Sequence, residues 1–146
     1  MPPRRRSAFE QAEQIGRQLG GNLVFSDWFA AGRAEMALAA GTAPEAESLA
    51  ERAVARAREV NGIYAEALAQ RTWAQALTLQ PARAHEADAH LAESLRLLES
   101  GHALLEDAHT HATWAALCRA RNDEAGAREH FEQARLQLDA SAIHSR

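Results

Sequence analysis

Seven histidines and a single cysteine are the residues of this 146-residue chain whose chemistry invites a search for a site. His102, Glu106 and His109 are spaced four and three apart. On one helix they would share a face and could offer two imidazoles and a carboxylate to a cation. Glu106-x-x-His109 also imitates half of a di-iron helical bundle. That site needs such a motif from each of two helices and two further carboxylates from facing ones, so a solvated polar stripe is the expectation and no metal or other cofactor is assigned. Glu86 and His90, four apart, suit a surface pair. His90 and His130 are set to stack on an outer face, where a pH response is conceivable. Cys118 sits where the pattern asks for a small apolar residue and has no activating neighbour in sequence, which predicts a buried, unreactive thiol. No glycine-rich phosphate loop follows a strand, and no Ser/His/Asp or Cys/His set is suggested by local motif. No catalytic residue is expected, and the chain reads as a non-enzyme.

Composition points the same way. Apolar residues make up 47% of the chain but aromatics only 5%, and alanine is nearly a quarter, a mixture that favours close-packed helices over sheets. A net charge of −4 argues against a general nucleic-acid surface, and every basic residue is arginine. One cysteine allows no intrachain disulfide. Residues 1–6 are expected to form a disordered basic arm, not a signal peptide, because an amphipathic pattern follows it. No stretch approaches the roughly 20 apolar residues of a membrane span, so the cytoplasm is the expected location and no membrane partner is foreseen.

The elements that would position these residues are all helical. Phe9, Ala12, Ile15 and Leu19 define a first helix capped by Ser7 and stopped at Gly20–Gly21. The second runs from Leu23 to about Ala40, and the third from Pro44 to about Val60, ended by Asn61–Gly62. The fourth covers Ile63 to about Gln80, with Pro81 closing it. The fifth spans about Arg83–Glu99, the sixth about His102–Arg121 and the seventh about Asp123–Asp139, leaving a flexible tail over 140–146.

Ala46, Ala87 and Ala127 are spaced by 41 and 40 residues, and so are Ala50, Leu91 and Phe131, and Ala53, Ser94 and Ala134. In the preceding helices Ala34, Ala74 and Ala115 coincide, with Ala37, Leu77 and Cys118 beside them. The chain is therefore an internal repeat over 22–62, 63–101 and 102–139, with 7–21 as a half repeat in one domain, 7–139. A small residue on the first helix and two on the second let each pair cross closely, and stacking supplies the core a single pair lacks.

This spacing resembles the tetratricopeptide repeat family. Its second helix carries a small residue, an aromatic or aliphatic four on and a small residue three on, as in Ala127-Phe131-Ala134. The family's first-helix Leu-Gly pair appears as Arg33-Ala34, Trp73-Ala74 and Trp114-Ala115, and its terminal proline is absent. The period near 40 exceeds the usual roughly 34. In this it is similar to the C-terminal repeat arrays of bacterial ATPase-type transcriptional regulators and cyclase-linked signalling proteins. The resemblance implies an all-α, right-handed superhelix of antiparallel helix pairs, a TPR-like α-solenoid of about seven helices. It also implies a scaffold in signalling or regulation that binds a peptide or partner protein in its concave groove. By register the groove residues are Trp28, Glu35, Leu68, Arg71, Gln75, His109 and Arg119. A small-molecule sensor is the alternative, and a metal-dependent helical-bundle enzyme a remote one. Nothing after Asp139 is expected to cover Phe131, Leu136 and Leu138, which makes that end a candidate contact for another copy or a neighbouring domain.

Overall fold

The computed structural model describes residues 8, 10–12, 14, 15, 18 and 26–145. Those described between 8 and 18 are helical and form α1. They are followed by α2 (Ser26–Ala39), α3 (Ala43–Glu59) and α4 (Ile63–Thr78), and then, after a 3-10 turn (Ala84–Glu86), by α5 (Ala87–Ser100), α6 (Leu104–Ala120) and α7 (Glu124–His144). Among the described residues the protein is all-α, with seven helices. The basic arm 1–6, Ser7, Phe9, Leu19, the Gly20–Gly21 stop and Leu23 lie outside the described residues.

One turn recurs four times. Gly41, Asn61, His102 and Asn122 each follow a helix with φ of +80°, +55°, +54° and +62°. One residue further on, the amides of Thr42, Gly62, Ala103 and Asp123 donate back to the carbonyls of Ala37, Ala57, Leu98 and Cys118. This is the six-to-one bond of a Schellman cap, in which a left-handed residue reverses the chain and satisfies a carbonyl the helix has left over. Breaks this short turn each helix back against its predecessor. At the last of them the Asp123 carboxylate accepts from the Gly126 amide at 2.9 Å and caps α7.

Each described helix from α2 to α7 packs on the next. In addition α2 packs on α4 and α4 on α6, whereas α3, α5 and α7 do not touch one another. The first helices of the pairs thus form one layer and the second helices another. Ala46, Ala50, Ala53 and Ala57 of α3 are wholly buried, which shows why alanine fills this stripe. A Cβ is all the side chain that such close contact admits.

The expected flexible tail is corrected. α7 continues through His144, because Ala140-Ser141-Ala142-Ile143 contains neither glycine nor proline to stop it. The fifth helix also begins later than expected, at Ala87, with Arg83 lying in the connection.

Equivalent positions near the start of α4 and α6 carry buried acids with opposite fates. Arg58 pairs with Glu66 at 2.8 Å. In the next repeat Glu99 replaces the arginine, and the Asp107 carboxyl is held above its ordinary range by burial and then by Glu99. Glu99→Arg is therefore expected to raise stability by roughly 0.5–1 kcal/mol, discounted because the Arg58 it would copy is mostly exposed. Urea denaturation with an unchanged m-value would measure the gain, and a loss of stability would contradict the pairing.

Candidate functional site

The stacking of pairs is fixed by a clasp that occurs twice. Trp73 of α4 stacks on His90 of α5 with ring centroids 4.2 Å apart, and Trp114 of α6 stacks on His130 of α7 at the same separation. Each histidine is also hydrogen-bonded by the residue three positions before that tryptophan on the same helix. His90 Nδ1 donates to Gln70 Oε1 at 2.6 Å, and His130 Nδ1 shares a proton with His111 Nδ1 at 3.0 Å. A carboxylate of the preceding pair closes the second clasp, where Asp88 accepts from Trp114 Nε1 at 2.8 Å and from Arg121 at 2.6 Å. At the first, the equivalent Glu47 is bound by Arg83 and Gln80, and the buried Trp73 Nε1 makes no hydrogen bond among the described residues. The Gln80 amide and the Arg83 guanidinium hold the Glu47 carboxyl below its usual range. His90 and His130 were expected to stack on an outer face. They stack instead on the tryptophan of their own pair, and Glu86 pairs with Arg83 rather than with His90.

Between these clasps runs a polar seam. Arg71 is only 4% exposed and reaches across from α4 to the Glu106 carboxylate at 2.9 Å and to Thr110 Oγ1 at 3.2 Å. Ser94 Oγ donates to the Ala67 carbonyl at 2.8 Å and lies 3.2 Å from Thr110 Oγ1. Three helices meet here with their buried hydroxyls satisfied. Arg71 is consequently buried instead of presented in a groove, with its Nη1 donating inside the protein.

An apolar cleft of about 540 Å³ opens on the layer of first helices. Leu38 of α2, Gln75 of α4 and Leu79 just after it, and His109, Ala112 and Ala116 of α6 contribute to its lining. Of the residues assigned to a groove by register, Gln75 and His109 line it. Leu68 packs into the core cluster of Ala31, Ala53, Val54 and Ala69. Glu35 and Arg119 are exposed outside the lining, and Trp28, exposed on α2, is also outside it. The missed contributors, Leu38, Thr78 and Leu79, lie at the C-terminal ends of helices. The fit between helices brings them to the cleft, which a one-helix register does not reveal.

The histidine face fares differently. His102 is the left-handed turn residue before α6, so it does not share a helical face with Glu106 and His109. Among the described residues no group of three or more His, Cys, Asp or Glu is placed to hold a metal ion. Cys118 is buried, and burial pushes its thiol up, as the carboxylates of Asp123 and Asp88 also do.

Burial holds His90, His111 and His130 below the ordinary imidazole value. Around His111 and His130, Asp107, Asp88, Asp123 and Glu129 supply negative charge, but burial outweighs it. The unfolded chain then binds more protons than the folded one. Stability should be complete above the unfolded value near pH 6.5 and fall as the pH drops through it towards the folded values. The melting temperature is expected to be lower at about pH 5 than at about pH 7.5, and His90→Gln or His130→Gln should flatten that dependence. Asp107 acts oppositely, but in the lower carboxylate window. An unchanged slope in both variants would show that the stacked rings do not carry the effect.

Comparison with protein-family models, with curated proteins and with solved structures returned no match. Function must therefore be argued from the cleft itself.

Proposed function

We propose that the chain is a TPR-like repeat module, a right-handed superhelix of antiparallel pairs. It binds a peptide or partner helix in the cleft along α2, α4 and α6 and acts as an interaction scaffold in signalling or regulation. The observation that carries this reading is the cleft's lining: Ala112, Ala116 and Ala120 on one stripe of α6, facing Gln75 and Thr78 on α4. Small side chains allow a bound backbone or helix to approach closely, and the few polar groups, Gln75, Thr78 and His109 among them, can fix its register. Binding by shape, not chemistry, is what such a surface does.

A small-molecule sensor is the second reading, favoured by a volume within the usual range for ligand sites. The two are separated by selection from a random peptide library on the wild-type protein, followed by binding to Ala112→Arg and Ala116→Arg. Both alanines are exposed in the cleft, so the replacements remove no packing. Selected peptides should bind both variants at least about tenfold more weakly. Equal binding would move the site elsewhere, and no selectable peptide would favour the small-molecule reading.

A further inference from the structure

The C-terminal end of the array repeats, uncovered, a face that is covered at both earlier junctions. α4 rests on α2 and α3, and α6 rests on α4 and α5. The covering helix uses one stripe each time. Ala69, Trp73 and Ala76 of α4 meet Ala53, Val54 and Ala46. Thr110, Trp114 and Leu117 of α6 meet Ser94, Ala87 and Leu91. No described helix rests on α6 and α7 in the same way.

Equivalent residues show what is missing. Ala50 and Leu91 are 0% and 1% exposed, whereas Phe131 at the same position is 60% exposed. Ala57 and Leu98 are 0% and 1% exposed, and Leu138 is 50% exposed. Phe131 and Leu138 flank a groove of about 320 Å³ between α6 and α7, floored by Leu105, Ala108, Ala112 and Ala134. Leu136 does not belong to this face. Its counterparts Ala55 and Arg96 are exposed to solvent in the covered repeats too, which corrects its inclusion in the end-on set.

Charge distinguishes this end from the inner junctions. The clasp carboxylates Glu47 and Asp88 are followed at the third equivalent position by Arg128, which is exposed and makes no ion pair among the described residues. Arg135 lines the same groove where the inner junctions have Val54 and Leu95, and it is already paired with Glu132 at 2.9 Å and Asp139 at 3.7 Å, so Arg128 is the cation this end leaves without an ion pair among the described residues. A covering helix that donates from Trp and Arg, as α6 does to Asp88, would place donor against donor here. The groove instead asks for carboxylates beside an apolar stripe.

We propose that the α6–α7 groove docks an acidic amphipathic helix of another protein, seated as α4 is on α3 and α6 on α5, with its carboxylates towards Arg128. This groove adjoins the inner cleft, with His109 and Ala112 lining both, but Phe131, Arg135 and Leu138 line it alone, and the proposal does not depend on the reading of the cleft.

The test is a titration of the ¹⁵N-labelled full chain with a helical peptide carrying Leu-x-x-x-Phe-x-x-Leu on one face and glutamates flanking it. The same peptide with lysines for the glutamates is the control. The glutamate peptide is expected to bind with a dissociation constant below about 100 μM and to shift the amides of Phe131, Ala134 and Leu138. The lysine peptide should bind at least about tenfold more weakly at low salt. Arg128→Glu should invert the preference, an outcome that misfolding cannot imitate, while Ala116→Arg should leave it unchanged. Equal binding of the two peptides, no shift up to about 1 mM, or a dimer in sedimentation that Phe131→Arg dissolves would each overturn the proposal.

Discussion

Arg71→Ala is expected to lower the unfolding free energy by about 3 kcal/mol, among the largest effects of any single substitution in the described chain. Two contributions add. The guanidinium is almost wholly buried while its partner Glu106 is 42% exposed, so the carboxylate left behind recovers part of its hydration and the loss stays below that of a fully buried pair. The arginine stem also packs between α4 and α6, and its removal leaves a space that Thr110 and Ser94 cannot fill. Arg71→Met retains the packing and should lose about half as much. If alanine and methionine cost the same, the charge carries the effect; if alanine costs less than about 1 kcal/mol, Arg71 does not tie the pairs together. Chemical denaturation reads both.

Trp114→Ala should cost a similar amount, about 3–4 kcal/mol, because it removes three contacts at once. The indole packs against the cluster of Ala74, Leu77, Ala87, Leu91 and Leu117, stacks on His130, and donates to Asp88. Trp114→Phe keeps the first two and loses the third, for which about 1 kcal/mol is expected. The comparison isolates the Asp88 hydrogen bond from the packing of the ring. Should phenylalanine prove as costly as alanine, the Asp88 bond and not the stack would dominate the clasp.

What the sequence revealed and concealed follows from where each signal resides. Helix number and register were legible because a single helix carries its own stripe: Ala46, Ala50, Ala53 and Ala57 are buried as their spacing requires. The turns were legible in part. Glycine at 41 and asparagine at 61 and 122 mark left-handed residues, but His102 occupies the same conformation with a residue type that does not announce it. Arg71 was misplaced because its fate depends on Glu106 and Thr110, which lie 35 and 39 positions away in sequence and meet it only once α4 and α6 have crossed. The Trp-His clasp could have been found. Trp73 and Trp114 recur at one offset, and His90 and His130 at another only one residue different. Two pairs of unusual residues in step are a contact signal that neither pair carries alone. The tail failed for a simpler reason: polarity suggested an end, yet no helix-breaking residue stands before His144.

The layer formed by α2, α4 and α6 is the proposed binding surface. Hydrogen–deuterium exchange of the full chain, with and without a peptide selected on the wild-type protein, tests it directly. Protection confined to the cleft-lining turns of α4 and α6, around Gln75–Leu79 and His109–Ala120, with α3 and α5 unchanged, is the predicted result. Protection centred on α3 and α5, with the cleft-lining turns unaffected, would contradict it.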